Sequence, residues 1–306
     1  MIRQAAFAGQ HPLLKGNLHT HTTRSDGLGT PEQVIHKYIS HGYQFLALTD
    51  HRIYNYTNFS GENSITILPG MEMDRGLLGP GIHCFHTVCL GPSKDNGNGF
   101  SQDQVFEGGS VKDQFDFQPL LNMIHANGNL TFYCHPQWSG TPAREFEKLS
   151  GNFALEIWNS GCALENDMDT NAAYWDELLM QGQRIYGVAV DDGHSMEHHC
   201  LGFTMVHAKN TVEAILHALQ HGSFYSSCGP EIYDFYVDKG QAVIECSPCD
   251  RILFIYGGAP HKMIRTESGM VTKGEFEVPD HYKYLRAVVI DTMGKYAWTN
   301  PLFLQP

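Results

Sequence analysis

The 306-residue sequence is short of charge, and of basic charge above all. Asp, Glu, Lys and Arg make up 17% of it, with 20 Lys and Arg against 33 Asp and Glu, a formal net charge of −13. Nucleic acid and anionic membranes both require a basic face, so neither is expected as a partner. No stretch approaches the ~20 consecutive apolar residues of a membrane span. Residues 1–15 lack a basic start followed by an apolar run, so no signal peptide is expected. Paired cysteine spacings are absent apart from Cys246 and Cys249, and nothing after that Cys-x-x-Cys completes a metal knuckle. The eight cysteines are therefore expected as reduced thiols of a cytoplasmic protein. Neither a nucleophile elbow nor a Gly-rich phosphate loop is found, which removes two common catalytic routes. What remains is an ordinary globular composition, 42% hydrophobic, with length for one large domain or one large and one small.

Histidine is abundant, at 18 residues, and its placement is informative. In Asn17-Leu18-His19-Thr20-His21-Thr22-Thr23-Arg24-Ser25-Asp26-Gly27, two histidines two apart would share one face of a strand end, because strand side chains alternate. The Ser-Asp-Gly turn that follows can return Asp26 to the same place. Two imidazoles and a carboxylate are the beginning of a first-row metal site.

The first ~220 residues alternate short apolar runs with amphipathic helical stretches, the pattern of an α/β protein. The first helix is marked by Thr30 as cap, Pro31, Gln33 for a capping box, a stripe of Val34, Ile35, Tyr38 and Ile39, and Gly42 at its end. Further helices are expected at 119–126, 142–149, 171–180 and 212–220. Seven strands are expected to end near His19, Thr49, Glu72, Leu90, His135, Trp158 and Asp191. Polar residues collected at strand ends are what a built site in an α/β barrel requires. Residues 93–109 read as a long loop able to cover that site. From residue 223 the texture changes to strands at 232–237, 242–246, 252–256, 284–290 and 296–304. The division expected is a catalytic unit of residues 1–222 and a small antiparallel β unit of residues 223–306.

In order, the strand-end residues are His19, His21, Asp26, His51, Glu72, His86, His135, Asp192 and His194. They lie in Leu48-Thr49-Asp50-His51, Pro69-Gly70-Met71-Glu72, Tyr133-Cys134-His135-Pro136 and Val190-Asp191-Asp192-Gly193-His194. This ordered series over about residues 16–200 resembles the PHP (polymerase and histidinol phosphatase) family. The resemblance implies a distorted seven-stranded α/β barrel holding two or three divalent ions. It also implies a ligand grouping: His19, His21, Glu72 and Asp192 at one ion, Glu72 bridging to a second with His86 and His135, and Asp26, His51 and His194 at a third. Imidazoles and carboxylates suit Zn, Mn or Fe. His83 competes with His86, and Asp191 with Asp192. Asp50 is expected to orient a neighbouring histidine, and Glu156 and Asn159 to support the ligands or touch substrate. His11, His36, His41, His125, His207, His217 and His221 read as surface or packing residues, and His198 and His199 could line the mouth.

Such a cluster would lower the pKa of a bridging water and neutralise a phosphoryl group under attack. The leading expectation is therefore a phosphoesterase for a small phosphorylated metabolite. Glu72, Asp192 and His194 would act through the metal-bridging hydroxide, and Arg24 and Arg52 would read the phosphate. Tyr284-Leu285-Arg286 and Ala297-Trp298-Thr299-Asn300-Pro301 resemble the tail of PHP-related carbamate-ester hydrolases, so a carboxyl-ester or carbamate-ester hydrolase is the alternative. A non-catalytic metal-binding module is a third reading. A homo-oligomer is compatible with the sequence, though no residue requires one.

Overall fold

In the computed structural model of the protein, residues 3–7, 11–79, 83–168, 170–267, 269–278 and 283–303 are described. Strands Leu13–Asn17, Phe45–Ala47 and Thr66–Leu68 pair in parallel. Strands Leu130–Tyr133, Asn152–Asn159 and Tyr186–Val190 form a second parallel set. Between the two sets, Gly70–Leu77 and Cys84–Leu90 form an antiparallel pair, and Cys84–Leu90 is antiparallel to Leu130–Tyr133 as well. Among the described residues the strands make a 6-stranded, a 10-stranded and a 4-stranded sheet rather than one closed ladder. The first two sheets meet through isolated bridges, Thr20 with Gly193 and His51 with Glu72. Those bridges occur at the polar strand ends, so the backbone there is held from both sides.

Local signals explain the elements. Helix Pro31–Ser40 carries the capping box between Thr30 and Gln33 and buries Val34, Ile35 and Tyr38. Helix Val212–Gln220 is capped by the Thr211 side chain and buries Ile215, Ala218 and Leu219. Helix Gln114–Ala126 starts before the expected residue 119, because Asp113 caps it by accepting from the Phe115 and Asp116 amides. Pro119 lies inside it and does not end it. The helix expected at 142–149 is only a short 3₁₀ turn, Ala143–Glu145, whose Pro142 makes no side-chain cap bond. Unexpected was helix Ser160–Asn166, too short to show a period and started by Asn159, whose side chain accepts from the Cys162 amide. Among the described residues no helix is long and apolar enough to cross a membrane.

The C-terminal region is β-rich, as expected. Strand Tyr284–Ile290 has the expected bounds, and Tyr296–Thr299 and Leu302–Phe303 replace the single run at 296–304. Leu304 lies outside the described residues. Strands Ala259–Ile264 and Val271–Glu277 were not foreseen; the first is almost wholly exposed and so shows no alternation. Strand Phe224–Ser227 is bonded on one side to Phe203–His207 and on the other to Tyr296–Thr299, so one sheet runs from the first parallel set into the C-terminal strands. The residues that resemble carbamate-ester hydrolase tails serve this junction. Buried Arg286 donates to both oxygens of Asp176 (2.8 and 2.6 Å), and Tyr284 donates to Asp176 Oδ1 (3.0 Å). Asn300 accepts from the Gly187 amide and donates to the Gly222 and Phe224 carbonyls.

Candidate metal centre

Glu72 is the hub of the site. It is 1% exposed, on strand Gly70–Leu77, and imidazoles surround its carboxylate. Its Oε1 lies 2.8 Å from His86 Nδ1, 3.3 Å from His135 Nε2 and 3.4 Å from His19 Nε2. Its Oε2 lies 3.0 Å from His51 Nδ1 and 3.3 Å from His21 Nε2. Asp192 Oδ1 lies 3.1 Å from His19 Nε2 and 3.0 Å from His21 Nε2, and those two nitrogens are 3.2 Å apart. On the outer side, Asp26 approaches His51 Nε2 (3.4 Å), His194 Nε2 (3.6 Å) and His21 Nδ1 (3.5 Å). The structure thus brings together the nine strand-end residues His19, His21, Asp26, His51, Glu72, His86, His135, Asp192 and His194.

The ambiguous pairs separate cleanly. Asp191 is turned away from the cluster: its carboxylate accepts from Tyr38 (2.7 Å), Ser160 (2.8 Å) and the Cys200, Leu201 and Gly202 amides, which fixes the loop after His194. His86 faces Glu72, whereas His83 lines a different cavity with Leu77 and Lys112. Strand Cys84–Leu90 runs opposite to its neighbours, so the ligand candidate lies near its start and not at its end. Loop 93–109 therefore begins away from the cluster, and none of its described residues is in the wall of the cavity above the cluster; its Asp103 and Phe106 meet Arg24 and Arg52 instead. Asp50 binds no histidine. It accepts from Thr22 and Ser25 through both amides and hydroxyls and so pins the turn that carries Asp26. Gly27 allows that turn to close, since a Cβ there would meet the His21 carbonyl at 2.6 Å.

Orienting partners determine which ring nitrogen faces the cluster. Buried Glu156 accepts from His19 Nδ1 (2.9 Å), which leaves the His19 Nε2 lone pair facing Asp192 and His21. The Asn159 amide donates to Glu156 (2.6 Å) and Asp192 (2.9 Å), which ties the two carboxylates together. His194 Nδ1 donates to the Asp192 carbonyl (2.9 Å), and His135 Nδ1 lies 3.1 Å from Ser139 Oγ. Asp74, 3.2 Å from His51 Nδ1, was overlooked, although two residues after Glu72 on one strand it shares that face. His135 (φ 23°) and Asp192 (φ 48°) hold positive φ, a strain that clusters at functional sites.

Arg24 and Arg52 are not placed as phosphate readers in this arrangement. Arg24 donates to Asn55 (2.9 Å) and pairs with Asp103, while Arg52 pairs with Asp74. Neither lines the cavity above the cluster, which measures about 250 Å³ and includes Trp138, Cys162, Glu165 and Asn166 in its wall. The last three come from the unforeseen helix. His198 lies at this rim, with Nε2 3.5 Å from Glu165, whereas His199 is buried behind Gly193.

Two observations test whether these donors suit cations. Asp192 Oδ1 and His51 Nδ1 are buried without a hydrogen bond, although imidazole nitrogens and carboxylate oxygens stand 3.0 to 3.2 Å from them. The electrostatics agree. Burial alone would raise the Glu72 pKa, but His86, His19 and His51 hold it well below the usual carboxylate range. Burial would lower the His51 pKa, but Glu72, Asp26 and Asp74 raise it to about 10. His194, where Asp26 and Asp192 outweigh burial, stands at about 9. Without metal, protons would balance these carboxylates, and an incoming cation would displace them. Residues of hard and borderline character, converging with unfilled lone pairs, fit divalent ions.

A family model described as PHP domain matches residues 17–251. No curated protein matches the sequence. Among solved structures, the chain is similar to a two-domain protein from Bacteroides vulgatus described as containing a predicted PHP-like metal-dependent phosphoesterase. The TM-score is 0.51 at 16% identity, over 94% of this chain and 93% of that one. It is also similar to an amidohydrolase from Chromobacterium violaceum, solved with bound sulfate and no metal, at TM-score 0.43 and 16% identity over 59% of this chain and 87% of that one; so slight a likeness does not bear on the fold. The Bacteroides protein shares the fold over nearly its whole length, and the family model spans most of this sequence, including every residue of the cluster. The chain belongs to the PHP domain family.

Proposed function

We propose that the protein is a metal-dependent hydrolase, and that the cluster around Glu72 holds two or three divalent ions. The observation that carries this reading is the convergence of imidazoles and carboxylates on one buried carboxylate, with two buried polar atoms left without hydrogen bonds. His19, His21, Glu72 and Asp192 would hold one ion, Glu72, His86 and His135 a second, and Asp26, His51 and His194 a third. When bound, such ions act as Lewis acids that acidify water and neutralise charge on the group under attack.

The protein's own residues supply orientation. Glu156 keeps the His19 proton on Nδ1, and His194 keeps its proton on Nδ1 by donating to the Asp192 carbonyl. Asn159 ties Glu156 to Asp192, so the two sides of the cluster cannot shift independently. The buried floor of Phe132 and Cys134 keeps bulk water on the cavity side only.

Phosphate monoesters of small alcohols are the favoured substrates, because several cations close together match the charge of a phosphoryl group. One observation favours a second reading: Trp138 and Cys162, and no Lys or Arg, stand in the cavity wall. A carboxyl or carbamate ester needs no basic residue there. Assay of metal-reconstituted protein on p-nitrophenyl phosphate, a phosphodiester, and p-nitrophenyl acetate or carbamate decides between them. Turnover of the phosphate monoester is expected. Turnover of acetate or carbamate alone would refute the phosphoesterase reading, and turnover of none would refute the hydrolase.

A further inference from the structure

We propose that Glu165 and Trp138 select substrates whose departing group is flat and cationic, and disfavour those carrying a second anionic group. This rests on the hydrolase reading above, and concerns the part of the substrate that leaves.

Both residues are in the wall of the cavity that opens on the cluster. Trp138 is 40% exposed, and its ring stands edge-on to His86 and His135, with centroids 5.7 and 5.0 Å away. Packed against two rings of the cluster, the indole has a fixed place beside the reacting group. Glu165 reaches the same cavity from helix Ser160–Asn166, which is fastened directly to the cluster. The Asn159 side chain that starts this helix also holds Asp192, and the Gly161 amide donates to the Asp191 carbonyl (2.8 Å). His198 keeps Glu165 at the mouth: its Nδ1 accepts from the His194 amide (3.4 Å), so its proton sits on Nε2, 3.5 Å from Glu165 Oε1.

A carboxylate and an aromatic ring lining one cavity are groups that together can recognise an organic cation. No Lys or Arg lines the cavity, and the arginines beside the ligand motifs are engaged by Asp103 and Asp74. A second anionic group on a substrate would therefore meet Glu165 with no Lys or Arg to offset it. The metals serve the scissile group, so discrimination falls on what is attached to it.

The test uses full-length metal-reconstituted protein and one aryl scaffold with three substituents: 4-(trimethylammoniomethyl)phenyl, its neutral isostere 4-(2,2-dimethylpropyl)phenyl, and 4-(carboxymethyl)phenyl. Each is made as a phosphate monoester and as an acetate. Whichever series turns over, kcat/KM for the cation should exceed that for the neutral isostere by about threefold to tenfold. The anion should be slowest. In Glu165→Gln the cation-to-neutral ratio should fall towards one, while Glu277→Gln, an exposed control elsewhere, should leave it unchanged. Binding of benzyltrimethylammonium, followed by calorimetry, should weaken about threefold or more in Glu165→Gln and in Trp138→Leu. Turnover with no charge preference, or a preference that Glu165→Gln leaves intact, would overturn the selection and spare the hydrolase. Absence of turnover in both series, with binding still dependent on Glu165, would overturn the hydrolase and leave the recognition standing. Absence of both would overturn both.

Discussion

Replacing Glu156 by Gln exchanges one carboxylate oxygen for an NH₂ group and should cost the cluster about 10–100-fold in metal affinity. The wild-type carboxylate offers two acceptor oxygens to three donors: His19 Nδ1 (2.9 Å), Asn159 Nδ2 (2.6 Å) and the His135 amide (3.2 Å). Glutamine offers one oxygen and adds an NH₂ group of its own. If the oxygen faces His19, the new NH₂ faces the Asn159 and His135 donors. If it faces those donors, the new NH₂ faces His19 Nδ1, and the ring must move its proton to Nε2 and lose the lone pair turned to the cluster. Either way a fully buried polar group loses its partner, at about 1–3 kcal/mol. At about 1.4 kcal/mol per factor of ten, that corresponds to roughly 5–150-fold, in agreement with the effect of removing an orienting partner elsewhere. Competition with a chromophoric chelator measures the affinity, and urea unfolding of chelator-treated protein separates it from a general loss of fold. Metal affinity and activity within twofold of wild type would refute the claim that Glu156 sets the His19 tautomer.

Glu72→Gln should lower metal content and activity far more than Arg24→Ala or Arg52→Ala, since Glu72 faces every part of the cluster and the arginines hold loops; comparable mild losses, by metal analysis and turnover, would contradict this. His86→Ala should lower metal binding while His83→Ala, in another cavity, should not, and equal effects would reopen that choice. Arg286→Met should destabilise the protein by about 3–5 kcal/mol in urea, because it leaves buried Asp176 without its cation; a change below about 1 kcal/mol would show the pair to be dispensable. Chelator-treated protein should be sensitive to alkali. His51 and His194 have raised pKa values, so their stabilising effect is full below the unfolded value near 6.5 and is lost as pH climbs through about 9 (His194) and about 10 (His51). Metal-loaded protein should show the reverse, losing stability towards acid as protons displace ions; Tm against pH for both forms checks the sign.

What was legible in the sequence follows from how far each piece of chemistry is local. His19 and His21 belong to one short motif just beyond strand Leu13–Asn17, and Pro31–Ser40 and Val212–Gln220 announce themselves through caps and periodicity, so each could be read from a short window. Glu72 could be named but not ranked: its role as hub depends on His19 just beyond Leu13–Asn17, His86 in Cys84–Leu90 and His135 just beyond Leu130–Tyr133 meeting over one carboxylate. The reversal of Cys84–Leu90 left no mark on its composition, and it moved the ligand from the end of that strand to its start. Arg24 and Arg52 misled for the same reason. An arginine beside a ligand motif suggests phosphate until long-range folding supplies Asp103, 79 positions away, or Asp74, 22 positions away, as its partner. The cavity wall was least legible, since helix Ser160–Asn166 is too short to show a period and Trp138 stands outside every motif singled out in the sequence. On the selection proposed above, exchanging Glu165 should change substrate preference while leaving metal content intact, as kcat/KM ratios and metal analysis of the variant would show.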